Sequence, residues 1–177
     1  MTTLPTARLV LRPWRFSDVE AVYRNGVHPD FGRYIAIPRP YEMRHAEEIV
    51  ARVVLRDREA HPTWAITLGG GYIGDVNVRV EPAERRAEMG YGIHPDHWGM
   101  GYTAEAAHAA MAWCFETFDL MKFSARADIR NTGSWRVMEK LGMRREGLLR
   151  SHRYIHGERS DEVVYGILRE ELQPTPG

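Results

Sequence analysis

The sequence predicts an α+β fold, in which helices pack on a mostly antiparallel β-sheet within a single domain spanning 1–177. Two observations favour this fold. Several segments alternate apolar and polar residues with the period of two that is typical of strands, and others repeat apolar residues at helical spacing. A length of 177 residues is ordinary for one domain and sufficient for a full hydrophobic core. Neither a repeat nor a linker-like segment divides the chain.

The first third of the chain predicts one strand and two helices. Arg8–Arg12 has the pattern of a strand that stops at Pro13, and Ser17-x-x-Glu20 predicts a capping box that opens the first helix. Segment 26–41 is rich in proline and aromatic residues and predicts an irregular connection, suited either to a wall over a pocket or to a plain surface loop. A second helix follows, with one apolar face made of Met43, Ala46, Val50, Val53 and Val54.

The middle of the chain predicts a hairpin followed by a central strand. Trp64–Leu68 is a strand, and the glycines of 69–71 predict its turn. The return strand has an apolar face made of Val76, Val78 and Val80, and a polar face made of Asp75, Asn77 and Arg79. A charged turn over 82–87 leads into the alternating segment Glu88–Ile93, which predicts the next strand.

A glycine loop and a helix come directly after this strand. Pro95 and Gly99-Met100-Gly101 predict a loop. The helix then buries one face made of Ala107, Ala110, Met111, Cys114, Phe115 and Phe118. Free N–H groups and the helix dipole favour an anion at such a helix start, and glycines let the backbone approach it closely. A phosphate or pyrophosphate is therefore the expected ligand, although an ordinary tight turn explains a bare GxG equally well.

The last third predicts three more strands around a short helix. Phe123, Ala125, Ala127 and Ile129 alternate as a strand. A helix begins near Asn131 and ends before Gly142, a residue favoured after a helix C-terminus. Strands over Met143–Arg153 and Glu162–Leu168 are joined by a turn at His156-Gly157, and residues 173–177 are expected to be a disordered tail.

Composition excludes several classes of function. Lys+Arg and Asp+Glu number 24 each, so the net charge of +0 argues against a nucleic-acid binder driven by bulk positive charge. The one cysteine, Cys114, excludes an intrachain disulfide and a cysteine zinc site, and its place on the apolar helix face predicts a buried structural thiol. The sequence contains neither a long apolar run nor a signal-peptide pattern, which predicts a cytoplasmic protein without membrane partners.

The stretch EMGYGIHPDHWGMGYTAEA resembles the acetyl-CoA-binding segment of the GNAT acetyltransferase superfamily, in which [QR]-x-x-G-x-[GA] follows a strand. Trp98, Gly101 and Thr103 take the three defined positions of that pattern. Downstream, the segments Asn131-x-x-Ser134 and EKLGM at 139–143 resemble further motifs of the same superfamily. Trp-Gly-x-Gly-Tyr followed by Glu-Ala is most similar to the ribosomal-protein N-acetyltransferase (RimJ/RimL-type) branch.

The resemblance implies a mixed sheet in which two neighbouring strands, Glu88–Ile93 and Phe123–Ile129, splay apart. An extended pantetheine arm can add to such an open edge as a strand does. The residues expected to bind acetyl-CoA are Gly92, Ile93, Trp98, Gly99, Met100, Gly101, Tyr102, Thr103, Ala104 and Asn131. For Asn131 a helix cap is the alternative explanation, and for Ser134, implied to protonate the departing thiolate, it is a plain helix-start residue.

A carboxylate is expected to act as general base. Glu88, at the start of the central strand, is the first choice, since the resemblance implies a glutamate there, and Asp75 on the preceding strand is the second. His94-x-x-His97 and His152-x-x-x-His156 have spacings seen at metal sites, but the predicted loops and strands do not align their rings and no third ligand follows, so no metal is expected.

The expected function is an acetyl-CoA-dependent N-acetyltransferase in which a primary amine attacks the thioester directly. The acceptor is expected to be a protein N-terminal α-amine or a small-molecule amine, such as an antibiotic, a polyamine or an amino-acid derivative. A non-catalytic acyl-CoA-binding sensor is the alternative from another class. A homodimer is included among the expected assemblies, and nucleic acid is not expected as a partner.

Overall fold

A computed structural model describes residues 2–56 and 60–173. Within these ranges, an eight-stranded sheet has the order β1-β2-β3-β4-β5-β6-β8-β7 and is flanked by four helices. The strands are β1 (Leu4–Pro5), β2 (Val10–Pro13), β3 (Thr63–Leu68), β4 (Gly71–Glu81), β5 (Arg86–Ile93), β6 (Lys122–Asp128), β7 (Arg144–Ile155) and β8 (Glu158–Leu168). The helices are α1 (Val19–Val27), α2 (Met43–Leu55), α3 (Tyr102–Thr117) and α4 (Thr132–Lys140). The α+β prediction is confirmed.

Within the described residues, β5 and β6 are the parallel pair, and every other neighbouring pair is antiparallel. Their pairing covers Arg86–Met89 against Lys122–Ala125 and then stops. Beyond that point β5 stays paired with β4 up to Ile93, whereas β6 stays paired with β8 up to Asp128. The sheet therefore opens between β5 and β6, as the resemblance implied.

Two hydrophobic cores hold the helices on opposite faces of the sheet. The larger core packs α3 and α4 on one face, with Ala107, Ala110, Met111 and Phe115 buried as the helical spacing predicted. Cys114 is buried in the same core, and burial raises the pKa of its thiol to about 12, which confirms the prediction of a structural thiol. The smaller core packs α1 and α2 against β3 on the other face.

The capping box predicted at Ser17 and Glu20 is wrong. Ser17 lies in a short 3-10 turn, and α1 begins two residues later at Val19. The carboxylate of the buried Asp18 accepts a hydrogen bond from the Arg15 backbone N–H at 2.8 Å and pairs with Arg12 at 2.6 Å. A buried ion pair between the end of β2 and the start of α1 sets the helix entry in place of a local cap.

The prediction for the first strand also differs in detail. The first strand begins at Val10, two residues after the predicted start, and it includes Pro13. The predicted tail, apart from Gln173, lies outside the described residues. No helix in 2–56 or 60–173 is long and apolar enough to cross a membrane.

Gly74 brings β4 and β5 close together beside the open part of the sheet. A Cβ added at Gly74 would overlap the carbonyl oxygen of Gly92 and lie 2.8 Å from the Cα of Ile93. Gly74→Ala is therefore expected to lower the free energy of unfolding by about 1–3 kcal/mol, the usual cost of overpacking. Urea unfolding measures it. Gly71→Ala on the same strand is the matched control, because its Cβ meets only the Leu68 carbonyl oxygen at an ordinary 3.6 Å; an equal loss in both variants would contradict the close approach.

Candidate active site

A cleft of about 410 Å³ lies where β5 and β6 separate. Seven of the predicted residues line it, namely Gly92, Ile93, Trp98, Gly99, Thr103, Asn131 and Ser134. Met100, Gly101, Tyr102 and Ala104 belong to the adjoining loop and first turn of α3 without lining the cleft themselves. The open sheet thus collects most of the predicted residues around one space.

The glycine loop has the backbone conformation that the sequence suggested. Gly99 and Gly101 have φ values of +76° and +80°, which residues with a Cβ rarely adopt. Gly101 is the N-cap of α3, so the N–H groups of the first helical turn open from this loop. The loop and the helix start fit a phosphate or pyrophosphate group.

Arg8 is a residue near this loop that the sequence analysis missed. Its guanidinium donates to the Met100 carbonyl at 3.0 Å and pairs with Glu105 in the first turn of α3 at 2.7 Å. The guanidinium also lies 4.5 Å from the ring centroid of Tyr102. Arg8 therefore ties the N-terminal segment to the loop, and Glu105 balances its charge. Only the charge of Arg8 was visible in the sequence, because its partners lie more than ninety positions away.

The backbone of β5 faces the cleft through alternate residues. His94 N donates to Ile73 O at 2.8 Å, so the hydrogen-bonding groups of His94 face β4. Because this direction alternates along a strand, those of Gly92 also face β4, whereas those of Tyr91 and Ile93 face the opening. The Ile93 carbonyl is taken by Trp98 Nε1 at 3.0 Å. The groups offered to an extended ligand are therefore the Ile93 N–H and both backbone groups of Tyr91, rather than those of Gly92.

Asn131 caps α4, as the alternative to a role in binding acetyl-CoA predicted. Its side-chain oxygen accepts from the Ser134 N–H at 3.2 Å. Among the described residues, the Asn131 side-chain NH₂ has no hydrogen-bond partner, so this group can donate into the cleft. A cap and a ligand contact are compatible, since they use different atoms of the amide.

Tyr91 links β5 to α4 across the cleft. Its hydroxyl donates to the Ser134 carbonyl at 2.8 Å, and Ser134 Oγ lies 3.4 Å from the same hydroxyl oxygen. Burial raises the pKa of the Tyr91 phenol well above its ordinary value, so it stays protonated and keeps donating. The sequence showed Tyr91 only as an apolar strand residue.

A second cavity, of about 520 Å³, lies on the α1/α2 face of the sheet and meets the cleft. The two spaces share a set of residues that we call the junction: Phe31, Tyr34, Ile35, Tyr91, Gly92, Asn131 and Ser134. Phe31, Tyr34 and Ile35 belong to the irregular segment, which therefore forms a wall. His156 Nε2 lies 2.9 Å from the Gly32 carbonyl and ties this wall to the β7–β8 turn.

Asp75 lines the second cavity beside the junction, whereas Glu88 lies away from it. Asp75 pairs with Gly92 in the β4–β5 register, and a Cβ on Gly92 would lie 4.0 Å from Asp75 Oδ1. Burial raises the pKa of Asp75 to about 6, against the opposing effect of hydrogen bonds from Asn77 and Tyr72. Glu88 is four residues from Gly92 along β5, about 13 Å away, and its Oε2 lies 3.3 Å from both Arg79 and Arg126.

Two buried N–H donors belong to the wall of the second cavity. Trp14 Nε1 and Asn25 Nδ2 have no hydrogen-bond partner among the described residues, although both residues are about 5% exposed or less. A buried donor without a partner costs about 1–3 kcal/mol. Both atoms are inaccessible to solvent, so the two residues carry this cost inside the wall and not on the surface of the cavity.

The histidines whose spacing resembles that of metal sites contact backbone groups, other rings or a carboxylate. His94 Nδ1 accepts from the Asp96 N–H at 3.3 Å, and its ring lies 5.4 Å from that of His28. His152 lies 3.6 Å from Glu162, and His156 is tied to Gly32. Within 2–56 and 60–173, no three potential ligands cluster in a way that would hold a metal ion.

A sheet opened between parallel strands, with a glycine loop and a helix start at the end of the opening, defines a class of proteins that bind an extended ligand carrying phosphates. The comparisons name the class more narrowly. A model of the acetyltransferase (GNAT) domain matches residues 8–144. The chain therefore belongs to the GNAT family of acyltransferases, which confirms the family prediction.

Relatives and solved structures agree with this assignment. The chain is 30% identical to the uncharacterized N-acetyltransferase YnaD of Bacillus subtilis (strain 168), over 95% of this chain and 98% of that protein. A GNAT-family acetyltransferase structure from Bacillus anthracis is also 30% identical and has a TM-score of 0.83, covering 96% of this chain and 100% of that one. Mycobacterium smegmatis RimJ, in complex with CoA-disulfide, has the same fold with a TM-score of 0.88 at 23% identity, covering 98% of this chain and 90% of that one.

Proposed function

We propose that this acyltransferase moves an acetyl group from acetyl-CoA to a primary amine by direct attack at the junction. The observation that carries the proposal is that the cleft and the cavity meet at Tyr91 and Gly92, with a carboxylate beside them. Acetyl-CoA lies in the cleft, with its pyrophosphate at Gly99–Ala104 and its pantetheine arm along Tyr91 and Ile93. The amine enters from the cavity and reaches the thioester beside Gly92.

Asp75 acts as the general base in this proposal, in place of Glu88. The amine nitrogen forms a bond to the thioester carbonyl carbon, the bond from that carbon to sulfur breaks, and Asp75 takes the proton that the amine loses. A carboxylate whose pKa is near 6 is mostly ionised at pH 7 and still basic enough to serve. Ser134 donates a proton or hydrogen bond to the departing thiolate, which is already a fair leaving group with a thiol pKa of about 8.5.

Release of CoA tests the enzyme against the non-catalytic sensor. The protein is mixed with acetyl-CoA and a panel of primary amines that includes peptides with free N-termini, amino-acid amides and polyamines, and free thiol is followed over time. We expect thiol release that depends on at least one amine. Tight binding of acetyl-CoA without thiol release for any amine would instead support the sensor.

The acceptor is proposed to be an α-amine rather than a lysine side chain. An α-amino group has a pKa of about 7.7–8.0 and a lysine amine of about 10.4, so the lysine costs about 3–4 kcal/mol more to deprotonate at the same pH. One carboxylate with a pKa near 6 is better matched to the easier proton.

Competition between two peptides tests this preference. One has a free N-terminus and no lysine, and the other has a blocked N-terminus and one lysine. Mass spectrometry should show faster acetylation of the first. Faster acetylation of the lysine peptide would overturn the preference, and acetylation of neither peptide, with turnover of a small amine, would favour a small-molecule acceptor, for which the walled cavity of about 520 Å³ has a suitable size.

A further inference from the structure

A third cavity, of about 370 Å³, continues from the acceptor cavity along the same face of the sheet. The two cavities share Asn77, Gly90, Arg126, Arg153 and Glu162, among other residues. A Cβ on Gly90 would come within 3.0 Å of Asn77 Oδ1, so a side chain at this position would meet the floor of the passage. An acceptor bound at the junction can therefore extend past Gly90 into the third cavity.

Positive charge predominates in the lining of the third cavity. Of the described residues around it, four are arginines, namely Arg56, Arg79, Arg126 and Arg153, and two are carboxylates, namely Glu88 and Glu162. The buried Glu162 lies 3.4 Å from Arg153. Each guanidinium has five N–H donors, so single contacts of 3.3–3.4 Å leave most of the donors of Arg126 and Arg153 for another partner.

Glu88 holds two of these arginines towards each other. One oxygen, Oε2, lies 3.3 Å from Arg79 and 3.3 Å from Arg126, and the three side chains are between 30% and 55% exposed. Arg79 also lies 3.4 Å from Glu81, which pairs with Arg86, so three arginines and two carboxylates form a group with a net positive charge. This arrangement gives Glu88 a positioning role that its place on the strand did not reveal.

The distance from the reaction centre to this charge is set by the strands. Gly90 is two residues from Gly92 along β5, and Arg79 is four residues from Asp75 along β4, which corresponds to about 7 and 13 Å at 3.2–3.4 Å per residue. An extended peptide covers about 3.3–3.6 Å per residue. A group on the third residue of a peptide whose N-terminus lies at Asp75 would therefore reach the arginines.

We propose that the third cavity binds a carboxylate on the acceptor, two to four residues' length from the amine that is acetylated. This inference rests on the proposed function, since it assumes that the amine lies at the junction. Arg126, which lines both cavities, is the principal ligand, and Arg79 supports it through Glu88. The acceptor class is thus an amine with an acidic group near its third residue. Charged hydrogen bonds of this kind give specificity as well as affinity.

Calorimetric titration of two matched peptides into the CoA-saturated protein tests the proposal. The peptides are Ala-Ala-Glu-amide and Ala-Ala-Gln-amide, which differ in one charge. We expect the acidic peptide to bind about tenfold tighter or more, the effect of a hydrogen bond to a charged group. Arg126→Gln should bring the two affinities together, whereas Arg150→Gln, an exposed arginine on β7 outside the three cavities, should preserve the difference.

Equal affinity of the wild-type protein for both peptides, or no measurable binding of either, would overturn the carboxylate site. A preference that survives Arg126→Gln unchanged would also overturn it. The wild-type comparison does not depend on how well a variant folds. Thiol release with the panel of amines separates this result from the proposed function, because turnover with equal peptide binding removes only the carboxylate site, and absence of turnover with every amine removes the acetyltransfer.

Discussion

Asp75→Asn is expected to lower the rate of acetyl transfer at pH 7 by about 10²–10³-fold, within the range for loss of a general base. The variant keeps the size of the side chain and loses its charge and basicity. The wild-type rate should fall as the pH drops through about 6, since protonation of Asp75 removes the base. Above pH 9 the amine deprotonates without help, so the variant should recover much of its lost rate. Rates at saturating acetyl-CoA between pH 5 and 10 measure both effects.

Glu88→Gln is the matched control, because it makes the same change of carboxylate to amide on the neighbouring strand. Glu88 lies against Arg79 and Arg126, away from the junction. With an acceptor amine that carries no carboxylate, Glu88→Gln should therefore lower the rate less than Asp75→Asn does, and by a similar factor at pH 7 and pH 9.5. A larger loss for Glu88→Gln, with recovery at high pH, would return the role of base to Glu88.

Gly101→Val is expected to weaken CoA binding by about 10- to 100-fold while the fold stays near native. A β-branched residue at a φ of +80° is strained by roughly 1–3 kcal/mol. The backbone relaxes to relieve that strain, and this displaces the loop N–H groups that bind the phosphates. Calorimetric titration with CoA measures the affinity, and circular dichroism measures the fold.

Gly70→Val separates backbone strain in general from a change at the phosphate loop. Gly70 has a φ of +86° in the β3–β4 turn, and a Cβ there would meet nothing within 4 Å. This variant should bind CoA as the wild type does. Unchanged affinity in Gly101→Val would show that the loop does not hold phosphate, and a loss of the same size in Gly70→Val would show that the effect is global.

Local patterns were sufficient for most of the fold. The alternation of Glu88–Ile93, the glycines of 99–101 and the helical face of α3 are properties of short segments, and the structure has each of them. The cap at Asn131 and the left-handed Gly142 are local in the same sense. Ser17 was misleading for the opposite reason, because a distant pair, Arg12 with Asp18, decides where α1 begins.

The choice between Asp75 and Glu88 could not be made from the sequence. Both are carboxylates on the polar face of neighbouring strands, and only the family resemblance made Glu88 the first choice and Asp75 the second. Their environments differ because Asp75 pairs with Gly92 where the sheet opens, whereas Glu88 pairs with Arg79 where β5 and β6 are still joined. Register and the point of separation are properties of the whole sheet, which no single segment encodes.

The central claim is that the cleft and the acceptor cavity form one reaction site through the junction. The most direct measurement is the affinity of a bisubstrate analogue, in which the sulfur of CoA is joined through an acetyl bridge to the α-amine of Ala-Ala-Glu-amide. Because one molecule then fills both spaces, it should bind about 100-fold tighter than CoA, within the range that linking two binding groups gives. An affinity equal to that of CoA alone would contradict the claim.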